Sequence, residues 1–185
     1  MKLALEFTLS SFILVLNVLF AQVAMAEDQV QLSKVDQRAT FLDGEWIGTG
    51  SFFLGKDWGN QIASCSEVKL KFVGARTAYE VHEGYAVCNG KLNPFNDNSK
   101  FGIKEDGTIF YISSRDHTLT PDTIVGSVSD GALHTATVHG NSVDDVSIIR
   151  KGDILIYRQW NAAPEGAPAY AFTAILTQNP SLIRK

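Results

Sequence analysis

Apolar and polar residues alternate through most of this chain, at the period of two that marks strands with one dry and one wet face. In the stretch Phe41 to Phe53, Trp46, Gly48, Gly50 and Phe52 fall on one face. Near Cys65 to Val73, Val68, Leu70 and Phe72 alternate with Glu67, Lys69 and Lys71. Near Tyr79 to Cys88, Tyr79, Val81, Tyr85 and Val87 share one face, and Glu80, His82 and Cys88 the other. Tyr170, Phe172, Ala174 and Leu176 form the inner face of a last strand, placed to close on the first because an exposed apolar edge is a liability. Turn signals separate about ten such segments, which predicts an all-β, single antiparallel up-and-down β-barrel of about ten strands. Glu27 to Thr40 is polar, with apolar positions at Val30, Leu32, Val35 and Ala39, and predicts a short N-terminal helix across one end of the barrel.

Turn chemistry then sets expected registers. With Cys65 opposite Cys88, Lys71 faces His82, and both cysteines lie on the polar face of their strands. Asp106-Gly107 predicts a hairpin pairing Phe101 with Ile112 and Ile103 with Phe110. Asp130-Gly131 predicts another, whose two faces are too mixed to say which is inside. Lys151-Gly152 predicts a third, with Arg150 opposite Asp153 and Asp145 opposite Arg158. Asn93 to Asn98 reads as a turn, and Asn161 to Pro168, rich in Ala, Pro and Gly, as a loop.

The ends and the composition change the picture in one respect, the compartment. Lys2, the apolar run Phe12 to Phe20 and Ala24-Met25-Ala26 have the order of a secretory signal peptide, residues 1–26, ahead of a single barrel domain, residues 27–185. The apolar run falls short of the ~20 residues that span a bilayer. Two cysteines in an exported, periplasmic or secreted chain predict a disulfide between Cys65 and Cys88. A net charge of −4, with no basic run, argues against nucleic acid as a partner.

Candidate chemistry is sparse. His82, His117, His134 and His139 are scattered, and the last two, five apart on one strand, face opposite ways. Asp144 and Asp145 are adjacent, hence also on opposite faces, and read as structural or solvated carboxylates. No nucleophile elbow, phosphate loop or metal motif occurs, so neither metal nor cofactor is implied.

Gly44-Glu45-Trp46 at the mouth of the first strand resembles the Gly-x-Trp signature of lipocalins and the wider calycin group of barrels. The extended form Gly-Glu-Trp-Ile-Gly-Thr-Gly is similar to bacterial lipocalin-like domains and, more distantly, to nitrobindin-like haem-binding barrels. The resemblance implies a basic residue from a late strand packed over Trp46, with Arg158 the first candidate and Arg150 the second. No Thr-Asp-Tyr-like second motif occurs, and no histidine follows His139 to hold a haem from a late strand.

The function expected is binding of a small hydrophobic or amphipathic ligand inside the barrel. Its walls would be Trp46, Gly48, Gly50, Phe52, Leu70, Phe72, Tyr79, Tyr85, Phe101, Phe110, Tyr170 and Phe172, with tyrosine hydroxyls orienting a polar group. Glycines on the inward face also suit a sheet that bends sharply. The alternatives are an isomerase- or cyclase-like enzyme on the same barrel, and an envelope interaction or structural protein with a filled core. A hollow interior separates the first two from the third.

Overall fold

Strands that alternate apolar and polar residues must roll up to bury one face, and here they roll into a complete ring. A computed structural model describes residues 38–55, 59–95, 98–114, 119–139, 142–162 and 168–179. The proposed signal peptide and most of the expected N-terminal helix lie outside the described residues. A single 3-10 turn, Ala39–Leu42, precedes the sheet. Eleven strands follow: β1 (Gly44–Leu54), β2 (Gln61–Gly74), β3 (Ala78–Cys88), β4 (Lys91–Phe95), β5 (Lys100–Ile103), β6 (Thr108–Ser113), β7 (Ile124–Ser129), β8 (Ala132–His139), β9 (Ser142–Lys151), β10 (Ile154–Ala162) and β11 (Pro168–Gln178). Every pairing is antiparallel, and β2–β3 closes the ring that β1–β11 joins on the other side. β4 and β5 lie one after the other along β3, against Gly84–Cys88 and Ala78–Glu80 respectively, so the barrel has ten strand positions.

β4 occupies part of the segment expected to be a turn. Its signal was Asn89-Gly90, both at positive φ (50° and 74°), the pair that a tight hairpin turn favours. Three bulges and two turns then correct the expected faces and registers. Cys65 is opposite Cys88, but Glu67 pairs with Val87, so Ser66 is an extra residue in β2. Ser66 turns Cys65 onto the same inward face as Val68, and both cysteines are buried in the core. A second bulge at His82 pairs Lys71 with Glu83, not His82. Gly84, Ala86 and Cys88 therefore face in with Tyr79, while Tyr85 turns outward and donates its hydroxyl to Glu67. A third, at Val125, places Val125 inside with Val128 and leaves Ile124 exposed. Leu133, Thr135 and Thr137 are the inward set of β8.

The β5–β6 connection takes three residues, Glu105 to Gly107, with Gly107 at φ 83°. Phe101 consequently pairs with Tyr111 and Ile103 with Ile109, one residue out of the expected register. Phe110 is thus moved to the outer face, where its ring lies over Gly102. The β9–β10 turn is Gly152-Asp153, with Gly152 at φ 59°, and it shifts the register by two residues. Arg150 faces Leu155, Asp145 faces Trp160 and Arg158 faces Ser147, so the expected ion pairs do not form. A shift of two preserves the faces, and Leu155 and Tyr157 point inward as the alternation requires.

One end of the ring is sealed. Trp46 is fully buried and donates its indole N–H to the Leu42 carbonyl at 2.7 Å, tying the 3-10 turn to β1. The guanidinium of Arg150 sits 5.3 Å from the centre of the Trp46 ring and donates to the Phe41 carbonyl at 3.1 Å. Arg150 therefore takes the place expected for Arg158, which is exposed on the outer face. The cause is the barrel's geometry: Arg150 ends β9 beside the start of β1, whereas Arg158 alternates outward from Tyr157. Across the seam, Glu45 accepts from Lys69 of β2 at 2.6 Å and from Asn179, just past β11, at 2.6 Å. The hydrogen bond from Lys69 is the main reason that the Glu45 carboxyl titrates below its ordinary value.

β1 and β11 come together more closely than side chains allow. A Cβ on Gly48 would lie 2.0 Å from the Ile175 carbonyl oxygen, and one on Gly50 would lie 2.5 Å from that of Thr173. Both glycines serve the bend and close approach of the sheet.

Three outcomes are expected. Replacing Cys65 and Cys88 together by Ala lowers stability by roughly 3 kcal/mol, because the bridge spans 23 residues of an otherwise open loop. An unchanged urea midpoint would refute this. Gly48→Ala costs about 1–3 kcal/mol by forcing β11 away from β1, read as a lower midpoint at unchanged m-value. Glu45→Gln costs at most about 1 kcal/mol at neutral pH. Because the folded carboxyl titrates low, its contribution is present above the ordinary value of 4.5 and is lost as pH falls through the depressed one. Thermal melts of wild type and variant should therefore converge on acidification, and a pH-independent gap would exclude the linkage.

Candidate functional site

The half of the barrel away from Trp46 is hollow. A cavity of about 360 Å³ lies between the inward faces of the strands, so the core is not filled throughout. Its size is at the lower end of the roughly 300–1,000 Å³ typical of small-molecule sites.

Two groups of aromatic rings wall it. β11 brings Phe172, which lies 5.9 Å from Phe52 of β1, 5.6 Å from Phe95 of β4 and 5.9 Å from Tyr157 of β10. Tyr170, two residues earlier on β11, stacks on Phe52 at 5.8 Å with planes 8° apart. β3, β5 and β6 bring the second group: Tyr79 stacks on Phe101 at 4.8 Å, and Phe101 meets Tyr111 edge-on at 6.2 Å. Such offset and tilted contacts hold rings in fixed poses beyond what burial alone would give.

Polar groups concentrate on the wall made by β9, β10 and β11. Asn161 pairs with Asp144 on one side and with Tyr170 on the other. The side chains then form a chain with one direction. Tyr157 donates to Gln159 Oε1 at 3.0 Å, Gln159 Nε2 donates to the Tyr170 oxygen at 2.9 Å, and Tyr170 donates to Asp144 Oδ1 at 3.1 Å. Asn161 Nδ2 donates to the same Asp144 oxygen at 2.7 Å. Donors aligned in series polarise one another in a low-dielectric interior. Thr135, Thr137 and Ser99, all buried, add hydroxyls elsewhere on the lining. Among the described residues no buried side-chain nitrogen or oxygen lacks a hydrogen-bond partner.

Of the twelve residues expected to form the walls, Phe52, Leu70, Tyr79, Phe101, Tyr170 and Phe172 border the cavity. Trp46 and Phe72 are buried in the core but do not border it, and Gly48 and Gly50 face the β11 backbone. Tyr85 and Phe110 are on the outside, for the register reasons given above. Sequence reasoning missed Asp144, Thr135, Thr137, Tyr157 and Gln159. The signal was the period of two: Ile148, Val146 and Asp144 share a face, as do Leu155, Tyr157 and Gln159. Asp145, on the other face of β9, accepts from or donates to the exposed His134 at 2.8 Å through Nε2. The side chains of His82, His117 and His139 lie outside the described residues. Among the described residues no group of three or more His, Cys, Asp and Glu is placed to hold a metal ion.

Comparison with known proteins adds little to this geometry. No protein-family model matches the chain, and no curated protein matches it. Among solved structures, it is similar to a protein of unknown function from the DUF3598 family of Nostoc punctiforme, at 15% identity and a TM-score of 0.45. The match covers 76% of this chain and 49% of that one, so this chain spans about half the length of that structure.

Proposed function

We propose that this barrel binds a small, largely apolar molecule in its interior, with a polar group of the ligand against the β9–β11 wall. The cavity carries the reading: about 360 Å³, ringed by aromatic side chains and provided with polar groups on one side. That division suits a ligand whose apolar body needs contact area and whose polar end needs direction. Phe52, Leu70, Tyr79, Phe101, Tyr170 and Phe172 would supply most of the contact area, and Tyr170 and Gln159 the orienting hydrogen bonds. A barrel stabilised only by its core would gain from filling this space, since cavity walls forgo dispersion contacts. The buried disulfide suits an oxidising compartment, in keeping with export of the mature chain.

The reading is tested with N-phenyl-1-naphthylamine, a neutral apolar probe whose fluorescence rises on leaving water. Wild type should enhance its emission saturably. Val146→Trp and Thr137→Phe, which place bulk in the cavity, should each weaken binding about tenfold, a loss of roughly 1.4 kcal/mol, at unchanged circular dichroism. Ile62→Trp, on the outer face, should bind as wild type does. No saturable enhancement by wild type, or equal binding by both filled variants, would overturn the proposal.

A further inference from the structure

We infer that the ligand of this cavity is a cation: an apolar body bearing a protonated amine or similar positive group, and not a fatty-acid-like anion. The inference rests on the ligand-binding reading above and deepens it. Asp144 is the one charged residue among the described residues that border the cavity; no lysine, arginine or histidine among them does so. Both printed partners donate to it, Tyr170 through its hydroxyl and Asn161 through its amide, the arrangement of an ionised carboxylate. The donor chain from Tyr157 through Gln159 ends on the same oxygen, so the wall is built to support negative charge at Asp144.

A carboxylate in a largely apolar cavity is costly to leave without a counter-charge, and a cationic ligand supplies one. The rings beside it act in the same sense. Tyr170 is bonded to Asp144 and stacked on Phe52, and Phe172 packs against Phe52 and Tyr157. Aromatic faces carry partial negative charge and attract cations, most strongly where water is excluded. A ligand carboxylate meets the opposite conditions: like charge at Asp144 and no cationic side chain on the described lining to receive it.

Three probes of one shape separate the possibilities: 2-naphthylmethylamine (a cation at neutral pH), 2-naphthylmethanol (neutral) and 2-naphthoate (an anion). Their binding to the full chain is measured by calorimetry at low salt. Wild type should bind the amine about tenfold or more tightly than the naphthoate, with the alcohol between them. Asp144→Asn should bring amine and alcohol to within about twofold, and Asp144→Glu should restore the preference. Alcohol binding doubles as the check that each variant is folded. If the alcohol binds wild type and the amine binds no better than the naphthoate, the cation inference is wrong and the ligand-binding reading stands. If none of the three binds wild type, and N-phenyl-1-naphthylamine does not either, both fall.

Discussion

Closure of the backbone ring is the constraint on which the rest of this molecule depends. A sheet that does not close presents unpaired N–H and C=O groups along two edges, and only a full ring removes them. Closure here is achieved between β1 and β11 on one side and β2 and β3 on the other. The first junction works because Gly48 and Gly50 carry no side chain where the β11 carbonyls press in. The second is held covalently, because Cys65 and Cys88 are directly opposed. Trp46 and Arg150 then cap one end, so the closed ring has a solid floor and a hollow upper half.

The architecture was legible in the sequence because period two and the turn dipeptides are local signals. Val68, Leu70 and Phe72, or Phe172, Ala174 and Leu176, needed no tertiary information to be placed inside. The disulfide was legible for a related reason: the expected register put Cys65 opposite Cys88, and that pair survives the bulges that shift its neighbours. What could not be read was the bulge itself. One extra residue reverses every face beyond it, so Ser66 carried the cysteines inward and His82 carried Tyr85 outward. Phe110 changed face because its turn takes three residues instead of two. Arg150 replaced Arg158 over Trp46 because a contact across the end of a barrel depends on which strand ends meet, not on spacing along the chain.

These displacements are not spread evenly. The bulges lie on β2, β3 and β7, and the strands β9, β10 and β11 run in regular register through the part that borders the cavity. Regular register stacks inward residues in rows across neighbouring strands. Asn161 therefore stands between Asp144 and Tyr170, and hydrogen bonds run from strand to strand. The irregular strands supply the opposite wall, where the Tyr79, Phe101 and Tyr111 rings meet. The cavity thus has a polar side fixed by ladder geometry and an aromatic side shaped by bulges.

Along β9, the inward positions run Ile148, Val146, Asp144, and along β10 they run Leu155, Tyr157, Gln159, Asn161. Each series begins apolar at the sealed end and becomes polar toward the other. Selection for stability alone would carry the apolar series further, because each polar side chain placed inside needs partners merely to offset its desolvation. The partners are present, which makes the polar wall tolerable without making it the most stable choice. Sequence patterns that break a local rule and are then compensated at one place tend to mark functional sites. The break here coincides with the empty half of the barrel, so the same change from apolar to polar that departs from the best core also locates the binding surface.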